Sequence, residues 1–292
     1  MIYLERFSLA TADDEDTFVL NYPYQLEMQC FTHNVYPFKI IPQKELEILE
    51  FEPITIFYGS NGSGKSTLLN IIAEKLMIRR SAPFNNTPYF DDYLSYCEYS
   101  LRNQCRLPKD SKLIASDDVF DFLLDIRAIN EGISDRRDRL FEEYEDKSRN
   151  RFQMKCLDDY DELKKHNDAK RYSKSQFTEK RLPREVTPGS NGESAFAYFA
   201  KEIGENALYL LDEPENSLSV VKQKELARLL EDSARFYNCQ FIISTHSPIL
   251  LSMKGARIYD LDSCPVRVRR WTELENVREW FDFFEENRDK LL

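Results

Sequence analysis

Residues 59–66 read Gly-Ser-Asn-Gly-Ser-Gly-Lys-Ser and match the pattern GxxxxGK[ST] at every fixed position. Glycines let backbone N–H groups converge on phosphate oxygens without a Cβ in the way, and the N-terminus of a following helix adds partial positive charge. Lys65 is expected to reach the β- and γ-phosphates, and the Ser66 hydroxyl to bind Mg²⁺. The loop residues expected to hold a nucleotide are Gly59, Ser60, Asn61, Gly62, Ser63, Gly64, Lys65, Ser66 and Thr67.

A second chemical signal is LYLLDEP, residues 208–214, an apolar run that ends in two carboxylates. Asp212 suits Mg²⁺, partly through water, and Glu213 is placed to polarise a water molecule for attack on the γ-phosphate. Two acids at the end of a strand can also cap a helix. Beside a phosphate loop, the catalytic interpretation is the stronger one.

A second loop of small residues, SNGES at 190–194, precedes the apolar segment AFAYFAKEI. Such sequences are common helix N-caps. The chain has only eight glycines, however, and five of them lie in the two loops, at positions 59, 62, 64, 189 and 192. Ser190, Gly192 and Glu193 are therefore candidates for contact with a γ-phosphate.

His246 lies in IISTHSP, directly after another apolar run. A single histidine at the end of a strand is usually structural. Here it follows the acidic strand by one helical segment, so it can lie beside Glu213 and the γ-phosphate. We therefore add His246 to Glu213 as a catalytic candidate.

The elements that must position these residues alternate along the chain. Apolar runs predict strands in MIYLERFSLA, EPITIFYG, NALYLLDEP, CQFIIST, ARIYDLDS and PVRVRRW. Amphipathic patterns predict helices after the phosphate loop, at AFAYFAKEIGE, at VVKQKELARLLEDSARFYN and in the tail TELENVREWFDFFEENRDKLL. Residues 81–113 look irregular. The charged stretch that follows predicts a lobe of a few helices, with a break at Gly132.

In this order, GSNGSGKST, SNGES, LYLLDEP and STHSP resemble the Walker A, signature, Walker B and switch-histidine segments of the ABC-type ATPases. The resemblance covers roughly residues 54–262. It implies a P-loop α/β fold with a largely parallel sheet core, an antiparallel N-terminal strand region and an inserted helical lobe. It also implies a head-to-tail homodimer with two ATP molecules between the subunits, in which Ser190 and Gly192 act on the partner's nucleotide.

The variant details favour soluble members of that family. Glu193 stands where transporter subunits have Gln, and DEPE resembles RecF-like, SMC-like and OLD-like ATPases, including small stand-alone bacterial ATPases found in anti-phage operons. Ser219 stands where many relatives have Asp or His. The expected domains are residues 1–80 with 186–270 as the nucleotide-binding core, 81–185 as the lobe and 271–292 as a C-terminal helix.

Two positions of the family pattern stay open. The Q-loop position of the family is occupied either by Gln104 or by one of the acids Asp117 and Asp118. Position along the chain favours the acids, and Asp117 is therefore a further candidate for the metal site. Tyr36 and Phe38 are candidates for an aromatic residue that stacks on adenine. The alternative is that both are core or surface residues.

Composition limits the function further. The net charge of -11 argues against a broadly basic nucleic-acid surface, although residues 164–184 carry eight basic and two acidic side chains. No long apolar run predicts a transmembrane helix, no secretory signal is evident, and six cysteines without a CxxC pair are typical of a cytoplasmic protein.

The sequence thus predicts a cytoplasmic ATP hydrolase that uses ATP and Mg²⁺ and gates a partner, for example an effector protein encoded nearby, in DNA repair or anti-phage defence. DNA is a further possible partner. The alternatives are the ATPase subunit of a membrane ABC transporter and a non-hydrolysing, nucleotide-dependent DNA-binding module.

Overall fold

The computed structural model describes residues 1–21, 35–102, 106–149, 159–179, 181–182 and 191–291. The chain divides into two compact units, residues 1–120 together with 191–292, and residues 121–190. Residues 81–120, expected in the lobe, lie in the first unit. The domain boundaries expected from the sequence stay a proposal.

Two sheets form the framework of the first unit as far as it is described. The strands are β1 (Leu4–Ser8), β2 (Ile48–Glu50), β3 (Ile54–Tyr58), β4 (Glu98–Leu101), β5 (Lys112–Ala115), β6 (Leu208–Asp212), β7 (Gln240–Ser244), β8 (Arg257–Asp260) and β9 (Arg267–Arg269). A six-stranded sheet has the order β5-β6-β7-β3-β8-β9, and a three-stranded sheet has the order β2-β1-β4. From β5 to β8 all neighbours are parallel, whereas β9 and the smaller sheet are antiparallel. The predicted fold class is confirmed.

The helices follow the predicted alternation with two differences. They are α1 (Ala12–Asn21), α2 (Lys65–Lys75), α3 (Phe90–Tyr96), α4 (Ser116–Arg149), α5 (Tyr160–Arg171), α6 (Lys174–Glu179), α7 (Asn191–Glu202), α8 (Val220–Phe236), α9 (Pro248–Leu251), α10 (Glu275–Glu286) and α11 (Arg288–Leu291). The stretch expected to be irregular, residues 81–113, contains helix α3 and strand β4. The strand forms there because it pairs with β1. Helix α7 begins at Asn191, so the residues NGES form its first turn.

The central sheet is buried on both faces. Along β3, Phe57 belongs to one core cluster with α2, whereas Ile56 and Tyr58 belong to the other with α7 and α8. Strands β6 and β7 divide their side chains between the same two clusters. Since successive strand residues point to opposite faces, this pattern explains why these strands are apolar without a break.

Gln240 joins the two sheets. Its side chain is fully buried, its Oε1 accepts the N–H groups of Tyr3 at 2.8 Å and Leu4 at 2.9 Å, and its Nε2 donates to the Leu4 carbonyl at 2.8 Å. The side chain thus replaces backbone partners that β1 does not find in the central sheet.

The second unit is helical where it is described. Helix α4 continues through Gly132 for 34 residues, about 51 Å at 1.5 Å per residue, so the predicted break is wrong. One glycine costs a helix only about 1 kcal/mol, which its strongly helix-forming neighbours outweigh. A small cluster of Leu140, Ala169 and Phe177 holds α4, α5 and α6 together.

The C-terminal helix α10 buries Val277 and leaves four aromatic side chains about half exposed, those of Trp280, Phe281, Phe283 and Phe284. Among the described helices, none combines the length and the apolar character needed to cross a membrane.

Candidate functional site

The phosphate loop connects β3 to α2. Gly62 and Gly64 have φ of 83° and 96°, which favour glycine, and Gly64 is the residue immediately before the helix. A Cβ on Gly59 would lie 2.4 Å from the Ser63 Oγ. The loop therefore closes tightly on itself and needs glycine at three positions, as the sequence pattern indicates.

Lys65 is folded back over this loop. It is 4% exposed, and its Nζ donates to the carbonyls of Gly59 at 2.9 Å and Ser60 at 3.1 Å. Oε1 of Glu213 lies 3.5 Å from the same Nζ. The cation is thus held at the loop and beside the second carboxylate of the acidic strand.

Asp212 ends β6 between two hydroxyl groups. Its Oδ1 accepts from Ser66 Oγ at 3.0 Å and from Ser244 Oγ on the neighbouring strand. Burial raises the pKa of Asp212, with the negative charge of Glu213 acting in the same direction, while the two hydroxyl donors and Lys65 oppose the shift. Ser244 is a site residue that the sequence analysis missed; its signal is a hydroxyl at the end of an apolar strand.

Glu213 has a strained backbone. Its φ is 47°, in the left-handed region, and its N–H donates to both the carbonyl and the hydroxyl of Ser244 at 3.0 and 3.1 Å. Oε2 accepts from the Asn216 amide at 3.2 Å. A non-glycine residue in this region costs about 1–3 kcal/mol, so neighbouring contacts must hold it there. Such strain is common at functional positions.

His246 lies two residues beyond the end of β7. Its backbone N–H donates to Glu215 Oε1 at 3.0 Å, and its Nδ1 lies 3.3 Å from the same oxygen. The His246 side chain is 49% exposed, whereas that of Glu215 is 5% exposed. Glu215 is a second residue that the sequence analysis missed, because its role depends on a contact with His246 across 31 residues.

A cleft of about 760 Å³ opens above the loop. Of the predicted site residues, those that line it are Asn61, Gly62, Ser63, Gly64, Lys65, Ser66, Thr67 and Glu213. Gly59, Ser60, Asp212 and His246 are not among the lining residues. The lining also includes residues that the sequence analysis did not single out, namely Lys39, Ile40, Gln43 and Lys44.

Asp262 supports the loop from the end of β8. Its carboxylate accepts the Ser60 N–H at 2.7 Å and the Ser60 hydroxyl at 2.9 Å. The sequence signal for it, an acid just after a predicted strand, resembles that of Asp212. Only the strand order shows that β8 neighbours β3 and so brings Asp262 to the loop.

Neither aromatic candidate for adenine stacking lines the cleft. Phe38 is buried, with its ring stacked on Phe18 at 4.2 Å between centroids and its edge against Tyr93. Tyr36 packs against Phe90 at 5.9 Å. Phe38 belongs to the hydrophobic core and Tyr36 packs against it, which is the alternative that the sequence left open.

The two described signature candidates, Gly192 and Glu193, do not line this cleft either. Gly192 is in the first turn of α7, where a Cβ would lie 3.5 Å from the Ser217 carbonyl, and Glu193 is exposed. Ser190 lies outside the described residues. Ser219, at the position where relatives vary, caps the N-terminus of α8 by accepting the Lys222 N–H at 3.4 Å.

The two acids considered for the Q-loop position, Asp117 and Asp118, follow β5, the strand next to β6. Ala115, at the end of β5, pairs in register with Asp212, and Asp117 is an exposed residue of the helix turn that follows. Asp118 is buried, and its carboxylate accepts the Ala115 N–H at 2.8 Å. Gln104 lies outside the described residues. Asp117 stays a prediction.

The donors at the loop suit Mg²⁺, which ordinarily takes one or two protein oxygens together with phosphate and water oxygens. Ser66 and Asp212 provide two such oxygens. Within the described ranges, no group of three or more His, Cys, Asp or Glu side chains forms a self-contained metal site. Ser63 Oγ is buried in the cleft wall without a hydrogen-bond partner among the described residues, as expected for a cradle that takes a further polar group.

Fold and site together place the chain among the P-loop ATPases. The family model described as ABC transporter matches residues 47–216, more than half of the 292 residues, and the chain belongs to this ABC-type ATPase family. A second model, described as an AAA domain with a proposed link to the AbiEii toxin of Type IV TA systems, matches residues 190–252. The ABC-type resemblance predicted from the motifs is confirmed.

Solved structures also resemble the chain. The SMC head domain from Thermotoga maritima is 14% identical, with 92% of this chain and 99% of that chain covered and a TM-score of 0.41. The Smc head domain with an extended coiled coil, bound to the C-terminal domain of ScpA from Pyrococcus furiosus, is 14% identical, with coverage of 99% and 100% and a TM-score of 0.40. Likenesses of this size carry no weight for function. No curated protein matches the chain.

Proposed function

We propose that the chain binds Mg-ATP in the cleft above the phosphate loop and hydrolyses it. The observation that carries the proposal is the pairing of loop and acidic strand: Ser66 contacts Asp212, and Lys65 contacts Glu213. The partners in each pair are nearly 150 positions apart in the sequence. Ser66 and Asp212 are both suited to bind Mg²⁺. Lys65 is suited to bind phosphate, and Glu213 is suited to polarise water.

The chain's own residues have separate tasks in this reaction. The N–H groups of the loop and the α2 N-terminus hold the phosphates, and Lys65 leaves its carbonyl partners to bind the β- and γ-phosphate oxygens. Glu213 orients a water molecule and accepts its proton as the water oxygen bonds to the γ-phosphorus, while the bond between the γ-phosphorus and the β–γ bridging oxygen breaks and ADP leaves. Ser66, and Asp212 through water, would hold Mg²⁺, which would supply neutralisation of the phosphate charge.

Hydrolysis is proposed to require a second copy of the chain. The cleft is lined by loop residues, Glu213 and residues of the segment 39–44, and it lacks Gly192 and Glu193, which lie on the first turn of another helix. A head-to-tail homodimer would bring Ser190, Gly192 and Glu193 of one copy to the γ-phosphate in the other, where the N-terminus of α7 favours negative charge.

The output is proposed to be the gating of a partner protein in the cytoplasm, for example a nearby-encoded effector in DNA repair or anti-phage defence. Direct DNA binding by the lobe receives less support than its composition suggests. Of its basic side chains, Lys165 pairs with Glu143, Lys174 with Glu145 and Arg181 with Asp168. A role as the ATPase subunit of a membrane transporter is the second candidate, favoured by the match to the ABC transporter family model.

The test is Glu213→Gln. The amide keeps the size and the hydrogen bond from Asn216 but cannot accept the proton, so turnover should fall about 100-fold or more without loss of ATP affinity. The variant should accumulate as an ATP-dependent dimer in light scattering. The matched control is Glu279→Gln on the exposed face of α10. Unchanged turnover in Glu213→Gln would overturn the mechanism, and co-purification with a membrane protein would favour the transporter role.

A further inference from the structure

Glu215 is a buried carboxylate that the proposed reaction does not use. It lies in the turn after the acidic strand, is 6% exposed, and its described side-chain hydrogen bonds all involve one carboxylate oxygen. Oε1 accepts from the Thr245 hydroxyl at 2.6 Å and the His246 N–H at 3.0 Å, and it lies 3.3 Å from His246 Nδ1. Oε2 is buried without a hydrogen-bond partner among the described residues.

This arrangement is costly. Burial is the main cause that raises the pKa of Glu215, and a buried oxygen without a partner loses its hydration. A leucine or glutamine would fill the same space without an ionisable group. Costly polar contacts of this kind occur where a function depends on them.

The backbone of His246 is already held at both of its polar groups. Its N–H donates to Glu215, and its carbonyl accepts from the Asn276 amide at 3.0 Å. The next residue is also held, because Ser247 Oγ donates to Gln223 Oε1 at 2.7 Å. With the chain restrained on both sides, ring orientation and tautomer are the remaining freedoms of His246.

We propose that Glu215 is the positioning residue for His246. Its Oε1 accepts a hydrogen bond from the Nδ1–H group, which holds the ring in one orientation and leaves Nε2 available to contact the nucleotide. A histidine's free nitrogen takes its role from the hydrogen bond that the other nitrogen makes. Within the described part of the chain, Nε2 of His246 has no hydrogen-bond partner, and half of the side chain is exposed.

The same contact links two strands that carry separate parts of the site. Glu215 follows β6 by three residues, and His246 follows β7 by two. Asp212 and Ser244 are directly opposite in the β6–β7 pairing. Glu215 therefore makes the position of the histidine depend on the turn that also holds Glu213.

This inference rests on the proposed hydrolysis only for its kinetic consequences. Removal of the acceptor in Glu215→Ala should lower kcat by about tenfold or more, as is typical when a residue that orients a functional histidine is lost, with little change in KM. Glu215→Gln keeps an oxygen acceptor at the same place and should restore most of kcat. In a His246→Ala background, Glu215→Ala should have no further effect on kcat, because Glu215 acts through the ring.

The structural consequence is tested without nucleotide. Long-range ¹H–¹⁵N spectra of protein labelled at histidine should show the Nδ1–H tautomer of His246 at pH 8 in the wild type and in Glu215→Gln, and its loss in Glu215→Ala. His166 is an internal control, since its Nδ1 lies 3.0 Å from the Lys147 carbonyl and should keep its signal in each variant.

An Nε2–H tautomer of His246 in the wild type would overturn the proposal, even if Glu215→Ala fails to fold. So would Glu215→Ala protein that keeps both the tautomer and kcat. If the wild type shows the Nδ1–H tautomer but does not hydrolyse ATP, the proposed function fails while the contact between Glu215 and His246 stands.

Discussion

The Nζ of Lys65 lies 3.5 Å from Oε1 of Glu213. The ammonium group of Lys65 and the proposed catalytic carboxylate of Glu213 therefore form an ion pair in this structure. A γ-phosphate entering between them would compete with Glu213 for Lys65 and release the carboxylate to contact water. The pair thus provides a physical reason for coupling between nucleotide binding and readiness for hydrolysis.

Lys65→Met should lose nucleotide binding. Methionine keeps much of the buried stem but has no ammonium group, so ATP affinity should fall about 100-fold or more, since hydrogen bonds to charged groups contribute about 1.5–3 kcal/mol and the loop also loses its positive charge. Titration calorimetry with Mg-ATP measures this. Lys201→Met, at an exposed position on α7, is the control and should bind like the wild type. Equal affinity in Lys65→Met would contradict the assignment of the cleft.

Asp212→Asn should stabilise the nucleotide-free protein at pH 8 while it removes activity. The folded state raises the pKa of Asp212 above its usual 3.8. Below that value the carboxyl is protonated in both the folded and the unfolded states. As pH rises, the unfolded carboxyl ionises first, so stability is lost between about pH 4 and the raised folded pKa.

Asparagine does not ionise and keeps the oxygen that accepts from Ser66 and Ser244. The melting temperature of the Asp212→Asn protein should therefore exceed that of the wild type by about 2 °C or more at pH 8, and the difference should vanish near pH 4. Thermal unfolding at the two pH values measures this, with the exposed Asp282→Asn as control. A lower melting temperature at pH 8 would show that the carboxylate is stabilising.

Gly59→Ala should distort the phosphate loop. The new methyl would lie 2.4 Å from Ser63 Oγ and 2.8 Å from Ser63 Cβ, so one of the two residues must move. ATP affinity should fall about tenfold or more if the loop shifts by even a few tenths of an ångström. Ser63→Gly in the same chain removes both clashing atoms and should restore part of the affinity. No rescue by the double variant would mean that the clash is not the cause.

Gly132→Ala tests the unbroken helix α4. A Cβ at this position meets nothing within 4 Å, and alanine is the better helix former by about 1 kcal/mol. The free energy of unfolding of the lobe should rise by about 0.5–1 kcal/mol, and ATP turnover should not change. Hydrogen exchange of the α4 amides measures the effect. A helix that breaks at Gly132, as the sequence suggested, would instead be destabilised or unaffected.

The sequence by itself determined the local parts of the site. The phosphate loop depends on neighbouring residues, namely three glycines, a lysine, and a strand and a helix on either side, which together occupy residues 54–75. The acidic strand is equally local, and its uninterrupted apolar residues already indicate burial on both faces of a parallel sheet. For the same reason, the ABC-type family could be named from four short segments.

Tertiary structure alone decided how these parts meet. The contacts of Ser244 with Asp212, Asp262 with Ser60 and Gln240 with Leu4 span 32, 202 and 236 residues. The strand order β6-β7-β3-β8 sets the first two, and the third joins β7 to β1 of the smaller sheet; no local pattern encodes either arrangement. Phe38 illustrates the same limit, since an aromatic before a phosphate loop can stack on a base or on another ring, and only packing against Phe18 decides between them.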